Sequence, residues 1–321
     1  MKLLITGGAG FIGSNFLEYM LKKYKAYSFV CIDNLVYGEN ENNLHKLYNY
    51  PNFKFVKGDI TDETLIDNLF SKEKFDGVIN FAAEIAVGYS IENPNIFFKT
   101  NVLGTAILMS ACLKHGVKRF HQISTDEVYG DVSLESKKNF KEDSVLRPSN
   151  PYSASKASAD MLVLAYYRTY GLNVTISRST NNYGPYQSNR ALIPLVINKA
   201  LNNERIPVFG NGKNIRDWLY VYDHVTAIDL IFHKGKTGQI YNVSGNSKRN
   251  NIYVIKKILK LTKASNDLIE YVQDRPGHDL KYSINSNKLE KELNWKRLYD
   301  FNKGIEETIN WFRNNKSQRK E

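Results

Sequence analysis

The chain predicts an α/β fold, a doubly wound parallel sheet with a second, smaller α/β region, and three observations predict it. An apolar run, Leu3-Leu4-Ile5, turns through glycines at 7, 10 and 13 into a segment with Phe16, Leu17, Met20 and Leu21 at helical spacing. Strand-like and helix-like stretches then alternate for about 170 residues, as a parallel sheet with crossover helices requires. Beyond Arg178 the pattern loosens into shorter helices and polar loops.

The first unit carries the most information. Gly7, Gly10 and Gly13 allow a tight turn, close approach of backbone to a pyrophosphate and close packing of helix on strand, while Phe11 and Ile12 open the helix whose N-terminus faces that anion. The next strand, Phe29-Val30-Cys31-Ile32, ends in Asp33 and Asn34, with Asp33 lying 20 residues beyond Gly13. An acid there hydrogen-bonds a ribose 2′-hydroxyl and repels a 2′-phosphate, so the cofactor expected is NAD rather than NADP. Glycines alone would be weak evidence. The triad in strand–turn–helix context with the acid at this distance is strong evidence for a Rossmann unit.

The third strand, Phe53-Lys54-Phe55-Val56, leads to Asp59 and Ile60, a plausible adenine contact. Val78-Ile79-Asn80-Phe81 runs into Ala82-Ala83-Glu84, whose small residues let a cofactor lie close. A long helix is predicted from about Pro94 to His115. It carries Asn101, read as a packing or capping amide. Val117 to Ile123 is a strand ending in Ser124-Thr125-Asp126-Glu127, so two adjacent carboxylates and a threonine emerge at a strand's carboxyl end, where open α/β sheets bind ligands.

Pro151 begins a helix that Ser149 or Asn150 can cap. Tyr152 and Lys156 are four apart and share one face, about 6 Å from each other. Making tyrosine a base near neutral pH needs a shift of roughly 3 units, about 4 kcal/mol. A lysine cation about 6 Å away supplies roughly 2.8 kcal/mol at an effective dielectric of about 20; a positively charged nicotinamide ring could supply the rest. Tyr-x-x-x-Lys alone is common in ordinary amphipathic helices, so it gains meaning only beside the other motifs. Val174 to Arg178 is a further strand.

Beyond it, Asn181-Asn182-Tyr183-Gly184-Pro185-Tyr186 is expected to break regular structure, and the main boundary is placed here: 1–178 NAD-binding, 179–321 mainly substrate-binding, with part returning to the sheet. Leu192 to Leu201 reads as a helix. Arg216 and Arg275 stand in segments read as loops, where arginines suit bidentate capture of a diphosphate. For one isolated arginine, surface ion pairing is the commoner role.

The formal charge is +11. Because the lysines are dispersed, the excess is read as suiting an anionic small substrate, with neither nucleic acid nor membrane as partner. With two cysteines, Cys31 and Cys112, no disulfide framework and no metal cluster is expected, and a reducing cytoplasm is the natural compartment. The apolar run after Met1-Lys2 is too short for a signal-peptide core, and no run is read as approaching the roughly 20 apolar residues of a membrane helix.

Taken together, the Gly7–Gly13 loop, Ser124-Thr125-Asp126-Glu127-Val128-Tyr129-Gly130, Tyr152 to Lys156, Asn181 to Tyr186, Arg216-Asp217-Trp218 and Asp274 to Asp279 resemble the nucleotide-sugar 4,6-dehydratases among the extended short-chain dehydrogenases/reductases. The likeness covers nearly the whole chain, and the Thr-Asp-Glu run separates these dehydratases from related epimerases. It implies that Tyr152 takes the proton from a sugar O4, helped by Lys156 and Thr125, that Glu127 removes the C5 proton, and that protonated Asp126 donates to the departing C6 hydroxyl. It also implies Glu84, Asn181, Asn182, Arg216, Arg275 and His278 against the substrate, a nucleotide-diphosphate sugar, and a homodimer or higher homo-oligomer. Where dTDP-glucose enzymes have Ser-His-Val-Asp-Arg-Ser, Ile85-Ala86-Val87-Gly88-Tyr89-Ser90 stands here. Arg190-Ala191 replaces the usual Glu-Lys pair before Leu192. Smaller side chains would leave room for a bulkier sugar substituent, which favours UDP-N-acetylglucosamine over dTDP-glucose. A UDP-sugar 4-epimerase and a non-catalytic NAD-binding sensor or scaffold remain the alternatives.

Overall fold

The computed structural model describes residues 1–36, 38–274 and 279–315. Among the described residues the strands are β1 (Lys2–Thr6), β2 (Ser28–Asp33), β3 (Phe53–Lys57), β4 (Gly77–Asn80), β5 (Arg119–Thr125), β6 (Val174–Ser179), β7 (Asn181–Tyr183), β8 (Ile206–Phe209), β9 (Ile215–Tyr220), β10 (Gln239–Val243), β11 (Lys248–Asn250) and β12 (Ile269–Val272). Seven of them form one parallel sheet in the order β10-β6-β5-β4-β1-β2-β3.

The inner strands are buried along most of their length because both faces of the sheet are covered, whereas the edge strand β3 exposes Lys54 and Lys57. One face packs Leu4, Val30, Val78, Phe120 and Val174 under the helices Glu63–Glu73, Thr105–Lys114 and Pro151–Tyr170. The other packs Leu3, Ile5, Phe29 and Ile79 against Phe16, Leu17 and Met20 of the Phe11–Lys23 helix and Val225, Ile228 and Phe232 of the Val221–Lys234 helix. The chain builds outward from β1 through β2 and β3, then crosses to β4 on the opposite side of β1. The order therefore reverses at β1/β4, and a crevice opens at their carboxyl ends.

The remaining strands form two small sheets, β11-β9-β7 and β12-β8, over a separate core of Tyr183, Ile193, Trp218, Val254, Ile305 and Phe312. Two expectations are corrected here. The Asn181–Tyr186 stretch does not break regular structure at once: its first three residues pair in parallel with β9, Asn181 opposite Trp218 and Tyr183 opposite Tyr220. Tyr183, buried among Trp218, Tyr220 and Phe301, anchors that short strand, and Gly184 with φ +148° ends it. Arg216 likewise lies on β9 rather than in a loop, because burial of Trp218 and Tyr220 makes that run a strand.

The predicted Pro94–His115 helix is present as Pro94–Lys114, but Phe98–Gly104 within it is a π-helical turn. By length and composition this helix is long and apolar enough to cross a membrane, so the reading that no run approaches that length is also corrected. Lys99 and Asn101 interrupt the apolar run, yet the mean hydropathy stays high. In the fold Asn101, Thr105, Leu108 and Cys112 are buried on the face that packs against the Pro151–Tyr170 helix and the sheet.

Candidate active site

Gly7 adopts φ +64°, and a Cβ there would sit 2.6 Å from the Ala82 backbone nitrogen; one on Gly13 would sit 2.5 Å from the Gly7 carbonyl oxygen. These are contacts that only glycine tolerates, so β1, the loop and β4 close on one another with no side chain between them. Asp33 Oδ2 accepts from the Ala9 N–H at 3.0 Å and Oδ1 from the Leu35 N–H at 2.9 Å, which braces the loop. Burial nevertheless pushes the Asp33 carboxyl upward. Asp59 accepts from the Thr61 N–H at 2.8 Å and from Asn34 Nδ2 at 3.0 Å. Burial opposes its ionisation, but these hydrogen bonds hold its carboxyl below its ordinary value. Ile60 is buried beside it, and Ala82 and Ala83 flank the crevice. Glycine cradle, helix N-terminus at Phe11 and acid at the end of β2 thus fit a dinucleotide.

The second part of the site is built by β5 and the helix Pro151–Tyr170. Asn150 is the N-cap, accepting from the Ser153 N–H at 2.9 Å, while Ser153 Oγ reciprocates in a capping box. That start fixes Tyr152 and Lys156 one turn apart on the buried face, 8% and 5% exposed. Lys156 Nζ donates to the Ile123 carbonyl of β5 at 2.6 Å. Thr125, Asp126 and Glu127 follow at the end of β5, where Thr125 caps a 3-10 turn running Asp126–Tyr129. The structure therefore brings Thr125, Asp126, Glu127, Tyr152 and Lys156 together as expected from sequence.

The two carboxylates differ in environment. Burial, then the neighbouring charges of Glu127 and Asp217, push Asp126 well above the ordinary carboxyl range, which favours its protonated form. Its Oδ2 is buried and has no hydrogen-bond partner among the described residues. Glu127, raised by burial and opposed by the Arg216 cation, is pushed up to about 7; hydrogen bonds from Tyr282 and Asn150 also favour its charged form. One acid and one poised base stand side by side.

The tyrosine differs from expectation. Burial and the Glu127 charge drive the Tyr152 hydroxyl far above its ordinary value, opposed mainly by a hydrogen bond with Thr125. Burial lowers the Lys156 ammonium to about 8, against the supporting charge of Asp160. The short Lys156 bond to Ile123 places the ammonium on β5, and burial outweighs the attraction that the four-residue spacing suggested.

On the other side of the site, Arg216 Nη2 donates to the Asp279 carbonyl at 3.0 Å and its guanidinium lies 5.0 Å from the Tyr282 ring centre. The Tyr282 hydroxyl bonds Asp279 Oδ2. Sequence reasoning passed over Tyr282 and Asn150's second role, because nothing local marks either as a neighbour of Glu127. Glu84 is buried, its N–H bonded to Asn101 Oδ1 at 2.8 Å. Asn101 also donates to Ser155 Oγ at 2.8 Å, so the π turn ties the substrate-side loop to the Tyr152 helix. Asn182 spends its amide on Ser179, Thr180 and His224, whereas Asn181 Oδ1 is buried without a partner among the described residues. Arg275 and His278 lie outside the described residues.

Residues 4–308 match the family described as GDP-mannose 4,6 dehydratase. Fold, cradle and carboxylate pair agree with that match: the chain belongs to this family of nucleotide-sugar 4,6-dehydratases within the extended short-chain dehydrogenases/reductases. It is 42% identical to a dTDP-glucose 4,6-dehydratase of Haemophilus influenzae, covering 99% of both chains. The crystal structure of the Bacillus anthracis dTDP-glucose 4,6-dehydratase in complex with NAD superposes with a TM-score of 0.92 at 43% identity, over 99% of this chain and 98% of that one. A UDP-glucose 4-epimerase from Thermotoga maritima reaches 0.91 at 29% identity, over 98% and 99%. Epimerases thus share the fold, and the distinction rests on the site.

Proposed function

We propose that the protein is an NAD-dependent nucleotide-sugar 4,6-dehydratase, a hydro-lyase that turns dTDP-glucose into its 4-keto-6-deoxy sugar. The observation that carries this is the pair at the end of β5: a buried Asp126, its carboxyl pushed upward, directly beside Glu127, in the same site as Tyr152 and Lys156. An epimerase needs the tyrosine and lysine but has no work for an adjacent acid and base. Gly7, Gly10, Gly13 and Asp33 would hold NAD, which when bound would supply a hydride acceptor for C4 and a hydride donor for C6.

The chain's residues move the protons. Tyr152 receives the O4 proton as its phenolate, a form that burial opposes and that the positive charges of Lys156 and of bound oxidised NAD would have to stabilise, with Thr125 hydrogen-bonding the same oxygen. Once C4 is a ketone, the C5 proton is acidic and Glu127 takes it. Asp126 delivers its proton to the C6 hydroxyl, which leaves as water, and Glu127 returns a proton to C5 as hydride is restored at C6. Arg216 holds the diphosphate, and Asn181 and Glu84 also bind the substrate.

For the substrate, the names of the relatives support dTDP-glucose and none supports the UDP-N-acetylglucosamine preference drawn from residues 85–90. Those departures fall on Ile85, Ala86 and the start of the short helix Val87–Glu92, where Ile85 is 62% and Tyr89 41% exposed although Ser90 is buried, so the size of the exposed side chains bears little on an enclosed sugar pocket. A homodimer is the proposed assembly: Phe98 and Leu103 on the Pro94–Lys114 helix and Met161 on the helix beside it expose apolar side chains. Incubation with dTDP-glucose and UDP-N-acetylglucosamine in parallel, read by mass spectrometry, tests the proposal; loss of water from the first is the expected result. An unchanged mass in both, with C4 inverted, would support the epimerase instead.

A further inference from the structure

Arg178 on β6 is the bulkiest of the fully buried side chains, at 1% exposure. Its Nε donates to Asp160 Oδ2 at 2.8 Å and its Nη1 to the Tyr129 hydroxyl at 2.9 Å, with the guanidinium 4.8 Å from that ring's centre. Asp160 Oδ2 also accepts from Ser124 Oγ at 3.0 Å, and the Tyr129 hydroxyl donates to Asn242 Oδ1 on β10 at 2.9 Å. The ion pair is sealed, its side chains 1% and 0% exposed.

Burying two charges is a poor route to stability, since apolar side chains of similar volume often do as well or better. The positions of the partners suggest a different use. Ser124 immediately precedes Thr125, and Tyr129 stands two residues after Glu127, so the network holds both ends of the segment that bears Thr125, Asp126 and Glu127. Asp160 lies one turn beyond Lys156 and two beyond Tyr152 on the Pro151–Tyr170 helix. A single planar guanidinium, offering donors in two directions, joins the helix that carries one half of the site to the segment that carries the other.

We propose that Asp160, Arg178 and Tyr129 are positioning residues that set the placement of Thr125, Asp126 and Glu127 against Tyr152 and Lys156. The proposal rests on the dehydratase reading above. None of the three touches substrate; each acts through the segment it holds. A misplacement of about 1 Å at reacting groups can cost roughly 10²-fold in rate, so the network's effect belongs in kcat.

The test compares Tyr129→Phe, which removes one hydroxyl, and Arg178→Lys, which keeps the charge but not the two-way fork, with the wild-type holoenzyme. Bound NAD per chain, melting temperature, kcat and KM are measured on each. The expected result is a fall in kcat of about 10- to 100-fold, with KM and bound NAD unchanged. The double variant should fall no further than the worse single one, because both cut one network. A lowered melting temperature with wild-type kcat per NAD-loaded chain would overturn the proposal, as would a loss of kcat that only follows loss of NAD. If Arg178→Lys fails to fold, Tyr129→Phe decides by the same criteria. If the wild-type protein epimerises instead of removing water, the dehydratase reading fails by itself, and the variants still decide the proposal through the rate of C4 oxidation.

Discussion

Adjacent carboxylates do different work only if their surroundings separate them, and Asp126 and Glu127 are separated by what each can reach. Asp126 faces burial and two like charges that outweigh Arg216; Glu127, though raised by burial and Asp279, has Arg216, Tyr282 and Asn150 to support its ionised form. Glu127→Gln keeps shape and removes the base, so water loss should fall by about 10²–10⁴ while oxidation at C4 survives. Reduced nicotinamide absorbance building up on the enzyme, with little solvent deuterium entering C5, is the expected signature; a normal rate of product release would make the pair structural. The sign of the pH dependence follows from the same groups. Below about 7 Glu127 is protonated and cannot take the C5 proton, so kcat/KM should drop on the acid side of that value. Arg216 is the chief group holding Glu127 down, so Arg216→Gln should move this limb to higher pH as well as raise KM. An acid limb that stays in place in the pH–rate profile would show that another group controls it.

At the scale of elements, the site depends on where two helices begin. The Phe11–Lys23 helix starts directly after the glycine loop, and Gly13→Ala would drive a Cβ to 2.5 Å from the Gly7 carbonyl. Purified Gly13→Ala protein should therefore carry much less NAD than wild type, measured by absorbance after denaturation; equal content would mean the cradle yields. The Pro151–Tyr170 helix starts at Asn150, whose amide caps it and also reaches Glu127. Asn150→Ala should cost about 1 kcal/mol in denaturant unfolding through the lost cap, and should also shift the acid limb upward.

Much of this was legible in the chain. The Gly7–Gly13 spacing, Asp33 at the end of β2, and Tyr152 with Lys156 after Asn150-Pro151 are local signals, set by turn chemistry and helical periodicity. What was not legible is non-local. The short strand β7 depends on Tyr183 packing among residues far along the chain, and the neighbours of Glu127 come from β9 and from Tyr282. The Tyr152 hydroxyl was expected to be lowered by Lys156, but a spacing argument counts one cation and cannot see burial by the rest of the fold.

At the scale of the molecule, the proposed reaction returns its hydride, so the cofactor ends as it began. We expect the protein to purify with NAD and to turn over without any added; stoichiometric NADH released as product would contradict that. The proposed division after Arg178 separates the residues that seat NAD from most of those assigned to the sugar nucleotide. β10, from beyond that point, lies against β6 at the edge of the large sheet. The proposed homodimer predicts twice the chain's 36.9 kDa in analytical ultracentrifugation.

The most direct test of the central claim is turnover of dTDP-glucose in deuterium oxide with no cofactor added, read by mass spectrometry and proton NMR. A dehydratase using Asp126 and Glu127 predicts a product lighter by one water, keto at C4 and deoxy at C6, with solvent deuterium at C5. A C4 epimer of unchanged mass with C5 still carrying its original hydrogen would contradict it.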